Sequence, residues 1–272
     1  MTPMNEFSIS DAEFGQFRDL MRQTAGVEMA PSKKHLVSGR LAKRLREHRL
    51  RNFGEYYRLV SSGNAPDEFH RMVDLLTTHE TYFFREPKHF EYLAAHVLPQ
   101  AAAGRELRLW SAASSSGEEA YSLAMVLMDK LGEKAPWQVF ASDISHEVLA
   151  KARTGIYGME RTEGISDDYR KRFCLRGING RSGTLRIDPA LRQRVRFAPI
   201  NLNESLAAAG EFDIIFLRNV LIYFDLPTKR QIVSRIVRQL KPQGWLFIGH
   251  SESLNGVSSE IRQERPTIYR RL

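Results

Sequence analysis

This chain has very little cysteine, no long apolar run and no glycine-rich phosphate loop, and each shortage excludes a class of function. Cys174 is the one cysteine in 272 residues, so an internal disulfide and a cysteine-rich metal centre are both ruled out. No apolar run approaches the eighteen or more residues of a membrane-spanning helix. No secretory signal pattern opens the sequence either, so a cytoplasmic protein without membrane insertion is expected. The eight histidines are scattered; His89 and His96 can share a helix face but have no matching acid, and no metal site is expected. Acidic residues are scarce in one place. Between Lys33 and Arg51 stand Lys33, Lys34, Arg40, Lys43, Arg44, Arg46, Arg49 and Arg51 against the single acid Glu47, in a chain of net charge +8. Such a run implies an anionic partner: nucleic acid, an anionic surface or an acidic protein.

Residues 1–76 read as helices only. Ser10 and Glu13 form a capping box, and Phe14, Phe17, Leu20 and Met21 follow at helical spacing until Gly26. Ser32 is expected to cap a second helix that buries Leu36, Val37, Leu41 and Leu45. The same helix would expose Arg40, Arg44, Glu47 and Arg51 as a mostly basic stripe. Two further helices are expected around Phe53–Val60 and Phe69–Leu76.

Residues 77–90 read as a linker that contributes to the site, and 91–272 as a second domain. In it short apolar runs at Leu107–Trp110, Val139–Ala141, Val195–Ala198, Phe212–Leu217 and Trp245–Ile248 alternate with helical patterns. That alternation argues for an α/β fold with a mostly parallel sheet, to which Thr267–Leu272 adds an edge strand. Over about 165–195 the pattern breaks. CLRGINGRSGTLRI carries Gly177, Gly180 and Gly183, each able to take a positive φ, and suits a small antiparallel insert. The insert is either a surface excursion without a role or an edge that accepts another strand.

The segment LRLWSAASSSGEEAYSLAM, Leu107 to Met125, places a strand, a turn of small residues and a helix N-terminus in succession. Backbone can approach a ligand closely at such a turn. Glu118 and Glu119 stand where a phosphate would have to sit; two acids repel phosphate and suit a cationic ligand, which points from NAD or ATP towards S-adenosylmethionine. Asp143 ends the next strand and is placed to accept from ribose hydroxyls, or else to cap the helix that follows. Asn201 and Leu202 end a third strand at the same edge, where an amide reads adenine or simply closes a turn. HETYFFREP (79–87) puts Arg85 where it can hold a carboxylate bidentately, with Phe83 and Phe84 as packing. FDIIFLRNVLIYF (212–224) sends Arg218, Asn219 and Tyr223 beyond another strand end.

Together, TYFFRE (81–86), LWSAASSSGEEAYSLAM (109–125), VFASDIS (139–145), NL (201–202), FDIIFLRNVLIYF (212–224), LKPQGWLFIGHSES (240–253) and TIYR (267–270) resemble the CheR-type chemotaxis receptor methyltransferases. The resemblance covers nearly the whole chain. It implies a Rossmann-like, S-adenosylmethionine-dependent methyltransferase sheet with a small all-α N-terminal domain and a small antiparallel β insert. It also implies an activity: methyl transfer from S-adenosylmethionine to glutamate carboxylates of chemoreceptors, leaving S-adenosylhomocysteine. His79, Thr81, Arg85, Glu118, Glu119, Asp143, Asn201, Leu202, Leu217 and Arg218 match cofactor-contacting positions, and Arg85 and Tyr223 match positions bordering methyl transfer. Arg40, Lys43, Arg44 and Arg46 match a helix that meets the receptor. The insert with Gly177, Gly180 and Gly183 matches a subdomain that, in some members, docks a receptor's C-terminal peptide. The partner implied is the cytoplasmic domain of a methyl-accepting chemoreceptor, engaged by a monomer. His79 departs from the family's usual Asn, Ser114-Ser115-Ser116 from its usual turn, and Ala120 from its usual proline.

Such chemistry needs few special residues. A glutamate with a pKa of about 4.3 is already ionised at neutral pH, so no general base is required. Two other readings stand beside it. A nucleic-acid methyltransferase would suit the basic helices, but the Asn/Asp-Pro-Pro-aromatic signature is missing and Cys174 has no preceding proline. A non-catalytic protein that senses the cofactor is the third, and His79 leaves room for it.

Overall fold

The capping box that opens the first helix forms as its sequence dictates: Glu13 N donates to Ser10 Oγ at 3.2 Å and Ser10 N to Glu13 Oε2 at 2.9 Å. The structure, a computed structural model, describes residues 7–100 and 104–272 and divides into two compact units. One comprises residues through Thr78 together with Tyr223–Thr228; the other comprises His79–Ile222 and Lys229–Leu272.

The first unit contains α1 (Asp11–Ala25), α2 (Lys34–Glu47), α3 (Phe53–Ser61) and α4 (Pro66–Leu76). Gly26 closes α1 with φ 73°, a left-handed conformation that favours glycine. Ser32 does not cap α2: Pro31 starts a single 3-10 turn, Pro31–Lys33, that runs straight into Lys34 with Ser32 inside it. Phe17, Met21, Val37, Leu41, Leu45, Phe53, Tyr56 and Met72 are fully buried. Each contributes about 1.5–3 kcal/mol relative to exposure. The segment 223–228 joins this unit through an antiparallel bridge between Val27 and Phe224, and Glu28 N donates to Tyr223 O at 2.8 Å.

The basic stripe of α2 is not uniformly exposed. Arg40 Nη1 donates to the carbonyls of Leu75 and Thr77 at 3.0 and 2.8 Å, closing the end of α4. Arg44 Nε donates to Glu68 at 2.8 Å, and Tyr56 Oη donates to the same buried carboxylate at 2.7 Å. His48 Nε2 lies 2.9 Å from it. Glu47 and Arg51 of the stripe face solvent, as do Lys43 and Arg46 beside it.

The second unit contains α5 (Pro87–Tyr92), β1 (Leu107–Ala112), α6 (Glu118–Leu131), β2 (Trp137–Asp143), α7 (His146–Thr154), β3 (Ile156–Gly158), α8 (Asp167–Phe173), β4 (Cys174–Arg176), β5 (Thr184–Ile187), α9 (Pro189–Arg192), β6 (Val195–Pro199) and β7 (Phe212–Leu217). After β7 come α10 (Leu226–Arg238, part of this unit from Lys229 onward), β8 (Leu240–Ile248), β9 (Ile261–Arg265) and β10 (Ile268–Arg271). The main sheet has seven strands in the order β6-β2-β1-β7-β8-β10-β9. The first five run parallel, and β10 is antiparallel to both its neighbours. The final apolar run is therefore not the sheet edge. The edge is β9, whose Arg262, Glu264 and Arg265 hid it from an apolar-run reading and suit an unpaired border.

A second sheet, β3-β5-β4, is antiparallel and begins before residue 165, because Ile156–Gly158 supplies its first strand. Of the three insert glycines only Gly183 takes a positive φ, at 79°. Gly177 is needed for space: a Cβ there would lie 2.1 Å from the Arg181 carbonyl, whereas one at Gly180 would meet nothing. No described helix is long and apolar enough to cross a membrane.

Burial alone would raise the pKa of Glu68, but its bonds to Arg44, Tyr56 and His48 hold it down at about 2. A carboxylate depressed on folding adds stability that is complete above the unfolded value and is lost as pH falls through the folded one. The Glu68 contribution is thus expected to disappear between about pH 4.5 and pH 2. Glu68→Ala should cost about 1–3 kcal/mol in urea denaturation at pH 7, since it leaves the buried Tyr56 hydroxyl without its acceptor and removes one of the two carboxylates paired with the half-buried Arg44. The difference between variant and parent should shrink over that acid window.

Candidate active site

The chain leaves β1 towards β2 and β6 on one side and returns to β7 and β8 on the other, so the strand order reverses beside β1. Crevices for ligands open at the carboxyl ends of strands at such a switch point. The turn after β1 is built for close approach. Ala113, Ser115 and Gly117 all have positive φ, at 138°, 48° and 96°. A Cβ at Gly117 would lie 2.9 Å from Ala152 Cβ and 3.0 Å from Tyr157 Oη, so only glycine fits at the start of α6.

The serines that stand in place of further glycines bond through backbone N–H groups and through the Ser115 and Ser116 hydroxyls, while Ser114 Oγ is buried without a partner. Ser114 N donates to Ser142 O at 2.8 Å and Ser115 N to Asp143 Oδ2 at 2.9 Å. Ser115 Oγ donates to His79 O at 3.1 Å, and Ser116 Oγ to Glu118 Oε2 at 2.8 Å. Asp143 also accepts from Ser145 N at 3.0 Å, and its carboxylate lies 4.0 Å from His79 Nδ1. The cap of α7 is Ser145, so Asp143 clamps the β1 turn to the β2 end.

Both acids of the GEE motif are paired within the protein. Glu118 is fully buried and ion-paired with Arg161. Glu119 accepts from Ser111 Oγ at 2.6 Å and Arg218 Nη1 at 2.9 Å. Burial pushes both carboxyls up from the ordinary glutamate range against the pull of these arginines.

Arg218, whose side chain is 1% exposed, is the centre of the arrangement. Besides Glu119 it bonds Glu86 Oε2 at 2.9 Å and the carbonyl of Arg85, and its guanidinium lies over the rings of Phe90 and Phe216. Glu86 also accepts from Asn219 Nδ2 at 3.1 Å and His250 N at 3.2 Å. Burial would raise its pKa, yet the Arg218 charge and these bonds bring it to about 2. Sequence reasoning missed Glu86. The available signal was an acid directly before a proline in an aromatic segment, held at positive φ like its neighbour Phe84. It missed Glu252 as well. That buried carboxylate accepts from Leu221 N at 2.7 Å, Gly249 N at 2.6 Å and Asn219 N at 3.0 Å, tying the loop after β7 to the loop after β8.

The remaining expected residues fall as follows. Thr81 is half-buried, and its carbonyl accepts from Arg161 Nη2 at 3.4 Å. Arg85 is half-buried, with Nη1 donating to Glu80 O at 2.8 Å. Leu217 is buried at the end of β7, and Leu202 is buried in the turn beyond β6. Asn201 closes a turn, donating to Glu204 Oε1 and accepting from Asn203 N, both at 3.0 Å. Phe83 is fully buried, with Tyr157 edge-on at 4.9 Å, and so packs as expected. Tyr223 belongs to the helical unit.

Arg218→Leu should strand two buried carboxylates. A loss of about 3–5 kcal/mol is expected, read from urea denaturation. An unchanged midpoint would show that the pairs contribute nothing.

Two family models match the chain: "CheR methyltransferase, SAM binding domain" over residues 79–269 and "CheR methyltransferase, all-alpha domain" over residues 12–77. The chain is 43% identical over 265 residues to the chemotaxis protein methyltransferase of Escherichia coli K12, covering 96% of this chain and 91% of that one. It is 43% identical over 266 residues to chemotaxis protein methyltransferase 2 of Pseudomonas aeruginosa, covering 97% and 94%. The Salmonella typhimurium chemotaxis protein methyltransferase is 42% identical over 265 residues, covering 96% and 91%. With matches of this extent over both units, the chain belongs to the CheR methyltransferase family.

Proposed function

We propose that the crevice at the ends of β1, β2 and β7 holds S-adenosylmethionine, and that the protein transfers its methyl group to glutamate side chains in the cytoplasmic domain of a chemoreceptor. The observation that carries this reading is the switch-point geometry. A close-approach turn clamped by Asp143 and a buried Arg218 cluster meet there, in a chain whose family is named for this cofactor. S-adenosylmethionine supplies an electrophilic methyl on a sulfonium. The acceptor glutamate is an anion at neutral pH, so both charges vanish as the bond forms. A transition state less charged than its reactants gains from alignment and exclusion of water rather than from an oxyanion hole.

In this reading Asp143 accepts from the ribose hydroxyls. His79, Thr81, Glu118, Glu119, Asn201, Leu202, Leu217 and Arg218 surround the donor. Arg85, with one of its donors on the Glu80 carbonyl, turns others to a carboxylate. The role of Tyr223 rests on the family resemblance alone. Asn201 already closes a turn, so its contribution to adenine recognition is through the backbone it fixes. The nucleic-acid alternative finds no support in Cys174, whose thiol burial pushes up to about 12, far from a nucleophilic thiolate at neutral pH.

Of the four helix residues expected to meet the receptor, recognition falls to the exposed Lys43 and Arg46, because Arg40 and Arg44 are committed to α4 and Glu68. In the insert, β4 is an outer strand with Leu175 and Ile178 exposed, and a receptor's C-terminal peptide is its proposed strand partner. The enzyme is taken to act as a cytoplasmic monomer.

Two experiments test this. Asp143→Ala should weaken S-adenosylhomocysteine binding at least tenfold in calorimetry, and an unchanged dissociation constant would refute the ribose contact. Lys43→Glu with Arg46→Glu should cut methyl transfer to receptor-containing membranes while leaving cofactor affinity and thermal stability intact. Arg44→Glu should instead lower stability.

A further inference from the structure

Glu86, His89 and His250 converge beside the strand ends although 164 residues separate the first from the last. Glu86 Oε2, His89 Nδ1 and His250 Nε2 all lie within 4.8 Å of one another. The carboxylate oxygen is 3.4 Å from His89 Nδ1 and 3.9 Å from His250 Nε2.

The contacts around His89 suit the tautomer protonated on Nε2, which we assign. The ring is 2% exposed, and its Nε2 lies 2.8 Å from Thr267 Oγ1. Thr267 has one hydroxyl proton and donates it to Pro266 O at 2.6 Å. Its oxygen therefore accepts, and His89 Nε2 carries the proton. The lone pair is left on Nδ1, a buried atom with no hydrogen-bond partner. It faces a carboxylate oxygen, and two acceptors so close repel unless something positive lies between them. Ligands at about 2.0–2.2 Å around a tetrahedral ion are separated by roughly 3.3 Å; the Glu86–His89 spacing of 3.4 Å is close to this, and the half-exposed His250 would have to move in. Thr267 stands where a hydrogen-bonded partner orients a metal-bound histidine. It is itself anchored, with Ile248 N donating to its carbonyl at 3.0 Å. His250, with its side chain 49% exposed, supplies a third ligand that can swing and a path from solvent.

We propose that Glu86, His89 and His250 form a binding site for a first-row divalent cation, with Zn2+ the best match to two imidazoles, one carboxylate and an open fourth position. This departs from the expectation of no metal site. The sequence offered the wrong partner for His89, since His96 lies against the Tyr92 ring, 4.8 Å between centroids, while His250 comes from the far end of the chain. Glu86 Oε2 is also the oxygen that accepts from Arg218 Nη2 at 2.9 Å. A bound cation competes with Arg218 for it, which makes Zn2+ an antagonist of the strand-end cluster. That consequence rests on the cofactor reading above; the binding of the ion does not.

The test uses the full chain, stripped with a chelator and titrated with ZnCl2 by calorimetry and with CoCl2 by visible absorption. The proposal expects one ion per chain and the d–d bands of a low-coordinate Co2+. His250→Ala and Glu86→Gln should each weaken binding at least tenfold, and His96→Ala should leave it unchanged. His250→Ala carries the decision, because a half-exposed side chain can be removed without unfolding. S-adenosylhomocysteine affinity should fall on adding Zn2+ to the parent protein and hold steady in His250→Ala. Absence of stoichiometric binding, or binding that His250→Ala leaves intact, would overturn the site. Loss of S-adenosylhomocysteine binding without any metal would count against the cofactor reading instead.

Discussion

A buried guanidinium between two carboxylates is the constraint on which the second unit's functional edge depends. Arg218 leaves the end of β7 with 1% of its side chain exposed, and an arginine cannot shed its charge there. It must be compensated in place. Glu119 at the start of α6 does this from one side and Glu86 from the other, both at 2.9 Å, with the rings of Phe90 and Phe216 beneath the guanidinium. Desolvating such a triad costs several kcal/mol, so its attraction does little more than offset its burial. Its effect is on specificity of structure. Three segments distant in sequence have one low-energy arrangement, and moving any of them exposes an unpaired charge to a low dielectric.

The rest of the edge follows from that arrangement. The FFRE segment holds Phe84 and Glu86 at φ 56° and 58°, conformations that cost non-glycine residues of order 1 kcal/mol or more and persist only when the surroundings impose them. The surroundings here are specific. Arg218 bonds the Arg85 carbonyl between the two strained residues, Ser122 Oγ accepts from Phe84 N at 3.0 Å, and Asn219 and His250 N hold the Glu86 carboxylate. Glu252 continues the network into the loops after β7 and β8 with bonds to backbone N–H groups alone. The edge is pre-organised by side chains that serve as internal ligands for the backbone. Little remains to be ordered when a cofactor arrives, which is where binding energy is otherwise lost.

Much of this edge was legible as local pattern and little of it as pairing. The capping box at Ser10, the strand–turn–helix from Leu107 and the strand end at Asp143 depend on neighbours a few residues away, and each formed. The partners of the GEE acids did not show, because Arg218 lies 99 residues from Glu119 and 132 from Glu86. A periodic reading also told which residues of α2 share a face but not what covers that face. Arg40 and Arg44 met carbonyls and Glu68, whereas Lys43 and Arg46 met solvent. The strand β9 escaped for a related reason: an edge strand is built of charged residues that an apolar-run search discards.

The charge balance of the edge explains how a cationic donor can be favoured although both helix acids are already paired. Asp143, Glu86, Glu118, Glu119 and Glu252 set five carboxyl groups against the guanidiniums of Arg85, Arg161 and Arg218, leaving acidic groups in excess in this part of the unit. S-adenosylmethionine, with a sulfonium, an ammonium and a carboxylate, carries one positive charge in excess. The complement lies in the whole set and not in the GEE dipeptide, and so is spread over groups whose positions are fixed before binding. Once methyl transfer removes the sulfonium charge, the product is neutral overall and that complement is gone. In the proposed reading, the fixed charges that would draw the donor in would hold the product less tightly, and turnover would gain from an electrostatic arrangement that never has to move.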